Sequence, residues 1–319
     1  MPLYIGIIGF PFDTKTGYRP GTRFGPFAIR SGSQRQISGS GRRWTLAWCS
    51  SPYAQGSNVL DCGGAPPSPY DNSKAQDQMD AVYKSAFSTP NGEERYREHT
   101  KQFALDGKEH PGIVTLGGDH TIVILPILRS LNKIHGLILV IHFDAHLDTW
   151  PPTGTTARGS INHGSFFTAA AEEGLLTNTN VHAGIRCKMM GFDNIQHDPM
   201  AGLQVITTDD IDDCGVKKVV EKMRQRIGDK PVYLSLDIDV VAGTPEIGGW
   251  TSPEVERILR GLTGLNFVAD IVEVAPAYEH ADITGIAVAD IVHGFSFDDI
   301  VGEPPRPHVG PFEEGEEFK

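Results

Sequence analysis

The stretch His142-Phe143-Asp144-Ala145-His146-Leu147-Asp148 decides how the rest of the chain is read. It continues the apolar run GLILVI, and Gly136 to Phe143 together have the composition of a parallel strand buried on both faces. If strand geometry persists past that run, side chains alternate with period two, and Asp144, His146 and Asp148 point to one side. Two carboxylates and an imidazole then converge at the C-terminal end of a strand, where open α/β sheets place their ligands. Two close carboxylates repel, and one takes up a proton unless a cation lies between them. Taken alone, the stretch also fits a hydrogen-bonded core cluster.

Two other apolar runs end in the same kind of residue. Gly112 to Leu116 runs into Gly117-Gly118-Asp119-His120-Thr121, with the glycines expected to let the backbone turn so that His120 reaches inward. Val232 to Leu236 runs into Asp237-Ile238-Asp239. Further strands are expected at Ile5 to Phe10, Val181 to Ile185, Leu203 to Thr207 and Phe267 to Val274. Helices are expected at Phe24 to Gly32, Ser73 to Phe87 (capped by Asp71 or Asn72) and Ile122 to Leu131. The later ones are His163 to Glu173, a segment capped by Asp209 or Asp210 that runs to Ile227, Pro253 to Leu262 behind a Thr251 or Ser252 cap, and Ile283 to Phe297. Residues 13–22 and 151–160 read as loops. Residues 33–72, rich in Gly, Ser and Pro, read as a long irregular excursion with room for a short strand at Trp44 to Trp48. Alternating strands and helices predict an α/β fold, a three-layer αβα sandwich around a mostly parallel central sheet. No composition shift divides the chain, so residues 1–310 are expected to form one domain and 311–319 an acidic, disordered tail.

Composition narrows the function. The 319 residues are 39% hydrophobic and 21% charged, an ordinary soluble balance with material for a large core. A formal charge of −12 with no basic run argues against a nucleic-acid partner. No apolar run is long enough to cross a bilayer, so no membrane partner is expected. The start, Met1-Pro2-Leu3-Tyr4-Ile5, lacks the basic and cleavable features of a signal peptide, which points to the cytoplasm and leaves a mitochondrial location open. Cys49, Cys62, Cys187 and Cys214 form no CxxC pair and are expected to be inert thiols.

Six candidate ligands stand at three strand ends: His120; Asp144, His146 and Asp148; Asp237 and Asp239. Four carboxylates and two imidazoles exceed what one ion needs and fit two divalent ions about 3.5–4 Å apart with shared carboxylates. The oxygen-rich set without thiolates favours Mn²⁺ over structural zinc.

In these motifs the chain resembles the ureohydrolases: arginase, agmatinase and guanidinobutyrase. The matching pieces are GGDHT at 117–121, FDAHLD at 143–148, HG at 163–164, SLDID at 235–239 and VEVAPAY at 272–278. The similarity extends from PFDTKTGYRPGTRFGP, beginning at Pro11, to DITGIAVADIV, beginning at Asp282. The polar motif that arginases carry before the HG histidine is missing, which places the resemblance nearest the agmatinase and guanidinobutyrase branch. The resemblance implies that His120, Asp144, Asp148 and Asp237 hold one Mn²⁺, that His146, Asp144, Asp237 and Asp239 hold the other, and that Asp144 and Asp237 bridge. It further implies His163 as a proton shuttle at the mouth, Glu273 as the acid that orients the guanidinium, and Asp148 as a carrier of the turnover proton. The substrate is then a small guanidino compound, agmatine or alternatively 4-guanidinobutanoate, and the protein a homo-oligomer, a trimer or hexamer. Two cations would lower the pKa of a shared water to about 7, which supplies the nucleophile that a guanidinium carbon needs.

The chain departs from the family at one place. Asp239-Val240-Val241-Ala242 runs straight into Gly243-Thr244-Pro245-Glu246, several residues short of its relatives. That shortening raises a second class of reading, a non-catalytic relative with a weakened metal site. A single-zinc deacetylase of similar architecture is a third, disfavoured by the surplus of carboxylates. Of the other polar residues near the motifs, His142 is expected to play a supporting or core role, His182 to be a satisfied strand-end histidine, and Arg186 to form a structural ion pair or serve a substrate carboxylate. Trp150 fits pocket lining or packing equally. Asn162 fits a helix cap or a substrate contact, and Tyr278, Glu279 and His280 are candidates for the substrate's tail.

Overall fold

The computed structural model describes residues 5–37, 45, 47, 59–88, 103–152, 161–189, 191–228, 230–243, 247–264 and 267–301. Eight strands form one sheet: β1 (Ile5–Gly9), β2 (Val59–Gly64), β3 (Gly112–Leu116), β4 (Leu139–Phe143), β5 (Asn180–Ile185), β6 (Leu203–Thr207), β7 (Val232–Asp237) and β8 (Phe267–Val272). Their order is β2-β1-β3-β8-β7-β4-β5-β6, and every neighbouring pair is parallel. Helices α1 (Gly25–Ser33), α2 (Asn72–Ser88), α3 (His120–His135), α4 (Phe166–Glu172), α5 (Asp209–Ile227), α6 (Ser252–Gly261) and α7 (Ile283–Val301) cover the two faces. Apolar residues of α1, α5, α6 and α7 close one face over Leu139, Ile141 and Leu234. Those of α2, α3 and α4 close the other over Ile113, Val140 and Tyr233. The parallel αβα sandwich expected from the alternation is therefore what the chain forms.

The differences are local and have physical causes. β2 lies inside the segment expected to be irregular; only Val59 and Leu60 are apolar, and as an edge strand it needs no alternating pattern. The strand expected at Trp44 to Trp48 lies outside the described residues apart from Thr45 and Ala47, as do most of the 151–160 loop and the acidic tail. β4 begins at Leu139, not Gly136, because Gly136 ends α3 with a positive φ of 78°. α4 begins at Phe166, since His163 and Gly164 occupy the preceding turn. A 3-10 stretch, Phe192–Ala201, was not expected. Thr251 caps α6 as anticipated, its backbone N–H donating to Glu254 Oε2 at 2.7 Å. Thr208, not Asp209 or Asp210, is the cap of α5, and Asp210 instead accepts the Thr207 N–H at 2.8 Å.

The strand order positions the site. β4, β5 and β6 run outward in one direction and β3, β1 and β2 in the other, with β7 and β8 between. The C-terminal ends of β3, β8, β7 and β4 therefore lie side by side where the winding reverses.

Candidate metal centre

All six expected ligands meet there. His120, the first residue of α3, points Nδ1 at Asp144 Oδ2 (3.2 Å), Asp148 Oδ2 (3.3 Å) and Asp237 Oδ2 (3.4 Å). His146 Nδ1 lies 3.2 Å from Asp144 Oδ1 and 2.9 Å from Asp239 Oδ2. Asp144 thus turns one oxygen to each imidazole and stands between two subsites. The ligand atoms of His120, His142, Asp144 and Asp148 lie within 4.8 Å of one another, as do those of Asp144, His146 and Asp239. Asp237 turns Oδ2 to His120, while its Oδ1 accepts the Asp239 N–H at 2.9 Å.

Two expected causes of this convergence are corrected. Residues 144–148 do not continue the strand. β4 stops at Phe143, the His146 N–H folds back onto Asp144 Oδ1 at 2.6 Å, and Asp148 has a left-handed φ of 53°. The side chains converge because the chain turns, not because they alternate. Gly117 and Gly118 are not among the described glycines with positive φ. Gly118 is needed for close approach instead: a Cβ there would lie 1.8 Å from the Phe12 carbonyl oxygen.

The electrostatics suit cations. Burial works against a charged imidazole at His120, but the facing carboxylates of Asp144, Asp148 and Asp237 outweigh it and raise its pKa well above the usual range. Burial, then the Asp144 charge, pushes Asp148 up to about 7. Burial followed by the Asp239 and Asp144 charges also raises Asp237. His120 Nδ1 and Asp144 Oδ2 are buried with no well-directed hydrogen bond. Buried polar atoms are rarely left so, and a cation among them would satisfy both. The residues present therefore fit a divalent metal.

A cavity of about 620 Å³ opens above these groups, with Gly17, Tyr18, Arg19, Trp150, Tyr278 and Glu279 on its walls. Trp150 therefore lines the pocket. His163 and Glu273 line it too. Glu273 sits just past β8 with a φ of 60° and accepts the His120 N–H through Oε1 at 2.8 Å. Burial, then the Asp119 charge, pushes its pKa up to about 8. Burial lowers the pKa of His163. Arg186 turns its guanidinium toward the carbonyls of Gly184, Asp239 and Val240, beneath the ligand loop. Asn162 shapes the turn before α4, its Oδ1 accepting the Gly164 N–H at 3.0 Å. The Tyr278 hydroxyl donates to the Pro20 carbonyl at 2.7 Å, and His280 is exposed. Cys62, Cys187 and Cys214 are free thiols; Cys49 is outside the described residues.

At the turn expected to be short, Asp239 faces the site: its Oδ1 accepts the Ala145 N–H at 2.9 Å and its Oδ2 lies 2.9 Å from His146 Nδ1. Val241 and Trp250 pair to close the loop, with Ala242 N–H donating to the Trp250 carbonyl at 2.6 Å. Thr244, Pro245 and Glu246 lie outside the described residues. Sequence reasoning gave no site role to Asp119, Ser235 or Asp270. An acid in the otherwise apolar FVADIV strand was the available signal for Asp270.

A parallel αβα sandwich that gathers four carboxylates and two imidazoles at its central strand ends belongs to the class of metal-dependent hydrolases. Residues 3–297 match the Arginase family model, and the chain belongs to that family, which is metal-dependent. It is 43% identical over 301 residues to a Schizosaccharomyces pombe protein provisionally named agmatinase 1, covering 90% of this chain and 75% of that one. It is 37% identical over 296 residues to the agmatinase of Cronobacter sakazakii, covering 89% and 84%. Among solved structures, proclavaminate amidino hydrolase from Streptomyces clavuligerus matches with a TM-score of 0.78 at 30% identity, covering 94% of this chain and 92% of its own. Family membership sets aside the deacetylase alternative. Among the described residues no helix is long and apolar enough to cross a membrane.

Proposed function

We propose that this chain hydrolyses the guanidino group of agmatine to putrescine and urea, with Mn²⁺ as its metal. The observation that carries the reading is the meeting of His120, Asp144, His146, Asp148, Asp237 and Asp239 beneath one cavity, in a chain similar to agmatinases along most of its length. His120, Asp144, Asp148 and Asp237 would hold one ion and His146, Asp144, Asp237 and Asp239 the other. When bound, two such ions supply Lewis acidity and make water near neutral pH a competent nucleophile.

The chain's own groups handle the rest. Glu273 offers a carboxylate oxygen to a guanidinium N–H, which orients the planar cation for attack at its carbon. In the reaction water's oxygen bonds to that carbon, the bond to the alkyl-bearing nitrogen breaks, and both of water's protons end on the leaving nitrogen, which departs as a primary ammonium. Asp148, buried with its Oδ2 3.3 Å from His120 Nδ1, can carry a proton to the leaving nitrogen. His163, on the cavity wall, can pass protons to solvent.

A second substrate is favoured by one feature. Arg19, exposed on the cavity wall, lies 4.8 Å from the Tyr18 ring centroid and 5.3 Å from that of Tyr278. A cation so held suits the carboxylate of 4-guanidinobutanoate, whereas Glu279 on the same wall suits the ammonium of agmatine. Urea release from each substrate, with added Mn²⁺, tests the proposal. Agmatine should be the better substrate, and no urea from either in a Mn²⁺-loaded sample would leave the non-catalytic reading. A trimer or hexamer extends this reading on family resemblance, and residues 1–310 as one domain extend it on the undivided composition; sedimentation tests the assembly.

A further inference from the structure

Just beneath the candidate ligands the sheet carries a row of polar side chains at positions where apolar ones are usual. Thr115 of β3, Asp270 of β8, Ser235 of β7, His142 of β4 and His182 of β5 are register neighbours across five strands. Each is 0% exposed. A buried polar group without a partner is destabilising, so a row of five needs an account of its contacts.

The contacts lead upward into the site. Ser235 Oγ donates to Asp270 Oδ1 at 2.8 Å, and the Tyr233 hydroxyl donates to the other oxygen of Asp270. Ser235 Oγ also lies 2.8 Å from His120 Nε2. A serine hydroxyl has one proton, and Asp270 takes it. Toward His120, Ser235 can only accept, so His120 Nε2 must carry a proton. The nitrogen left for a metal is Nδ1, the one facing Asp144, Asp148 and Asp237. On the other side His142 stands between His182 (Nδ1 to Nδ1, 2.8 Å) and Asp144 (Nε2 to Oδ2, 2.9 Å).

We propose that Ser235 and Asp270 are positioning residues that fix the tautomer and ring orientation of His120 for metal binding. The inference rests on the reading of His120 as a ligand and goes beyond it, to what aims it. Groups behind a ligating histidine typically carry about 10–100-fold of metal affinity.

The test is equilibrium dialysis of the purified full-length chain against Mn²⁺, without substrate, on the wild type, Ser235→Ala, Ser235→Thr and Asp270→Asn. Melting in chelator checks that each variant is folded. Ser235→Ala should bind at least one ion about 10–100-fold more weakly. Ser235→Thr keeps the hydroxyl and should recover most of that loss. Asp270→Asn keeps the volume, but its amide can donate to Ser235, turning the serine proton toward His120 Nε2; it should weaken binding as Ser235→Ala does. If Asp270→Asn does not fold, the two Ser235 variants decide alone. Ser235→Ala binding both ions like the wild type overturns the proposal, as does a loss that Ser235→Thr fails to restore. Wild-type protein that takes up no Mn²⁺ overturns the ligand reading itself. Normal Mn²⁺ binding without urea release leaves the positioning role intact and rejects only the substrate.

Discussion

Gly17 is exposed, yet a methyl group added there would lie 2.6 Å from His163 Nε2. Substitution by alanine must displace either the loop or the imidazole. A misplacement of about 1 Å near the chemistry can cost on the order of 100-fold, so Gly17→Ala should lower urea turnover by about 10- to 100-fold. Mn²⁺ binding should be unchanged, because the three heavy atoms nearest that methyl position all belong to His163 and none to the six candidate ligands. Steady-state kinetics beside dialysis separates the two. The loop that carries Gly17 is pinned by Asp13, which is buried and accepts the Gly21 N–H at 2.7 Å and the Arg23 Nε–H at 2.6 Å. Burial alone would raise the Asp13 pKa, but the Arg23 hydrogen bond and the Gly21 N–H overcome it and hold it below the ordinary 3.8. A carboxylate with a depressed folded-state pKa contributes stability that is complete above its unfolded value and is lost as pH falls through the folded one. Asp13→Asn should therefore cost about 1–2 kcal/mol at pH 7. It should also reduce the fall in melting temperature below about pH 4; an unchanged acid profile counts against the pinning role.

α1 and α7 cross at glycines. A Cβ on Gly32 would lie 2.5 Å from the Gly285 carbonyl oxygen, and one on Gly285 would lie 2.9 Å from that of Ala28. Backbone cannot yield as a flexible side chain does, so Gly32→Ala or Gly285→Ala should cost about 1–3 kcal/mol, read as a lower denaturant midpoint with an unchanged slope. This crossing was not legible in the sequence, because nothing in GPFAIRSGS says which helix it will meet. Elements with strong local signals were legible. The apolar runs at 112–116, 136–143 and 232–236 announced buried strands, and Asp and His residues clustered at their ends announced the site. β2 was not, because an edge strand carries little pattern. The turn at 144–148 was misread as strand, since alternation and a tight turn both bring residues two apart to one side. The row from Thr115 to His182 depends on register between strands distant in the chain. His142, His182, Ser235 in SLDID and Asp270 in FVADIV were each visible as polar residues in apolar strands, but not that they line up.

At the scale of the whole molecule, the sheet brings negative charge together at its centre. A protein with a formal charge of −12 places four carboxylates at adjacent strand ends, where burial and mutual repulsion raise Asp148, Asp237 and Asp239 above their ordinary pKa. Such an arrangement costs folding energy unless cations offset it, and two divalent ions would supply four compensating charges. An ion that binds only the folded chain adds stability by mass action, about 2.7 kcal/mol at a hundredfold excess over its dissociation constant. The ligands stand at or just past the ends of β3, β4 and β7, distributed across the central sheet, so the gain should appear in global unfolding and not in one loop. Melting in chelator and then with graded Mn²⁺ should show one cooperative transition that rises with metal concentration. Asp237→Asn removes one of the crowded charges. It should melt higher than the wild type in chelator and gain less from Mn²⁺. Equal melting temperatures with and without metal, in the wild type, would mean that the four carboxylates are reconciled by protons and not by ions.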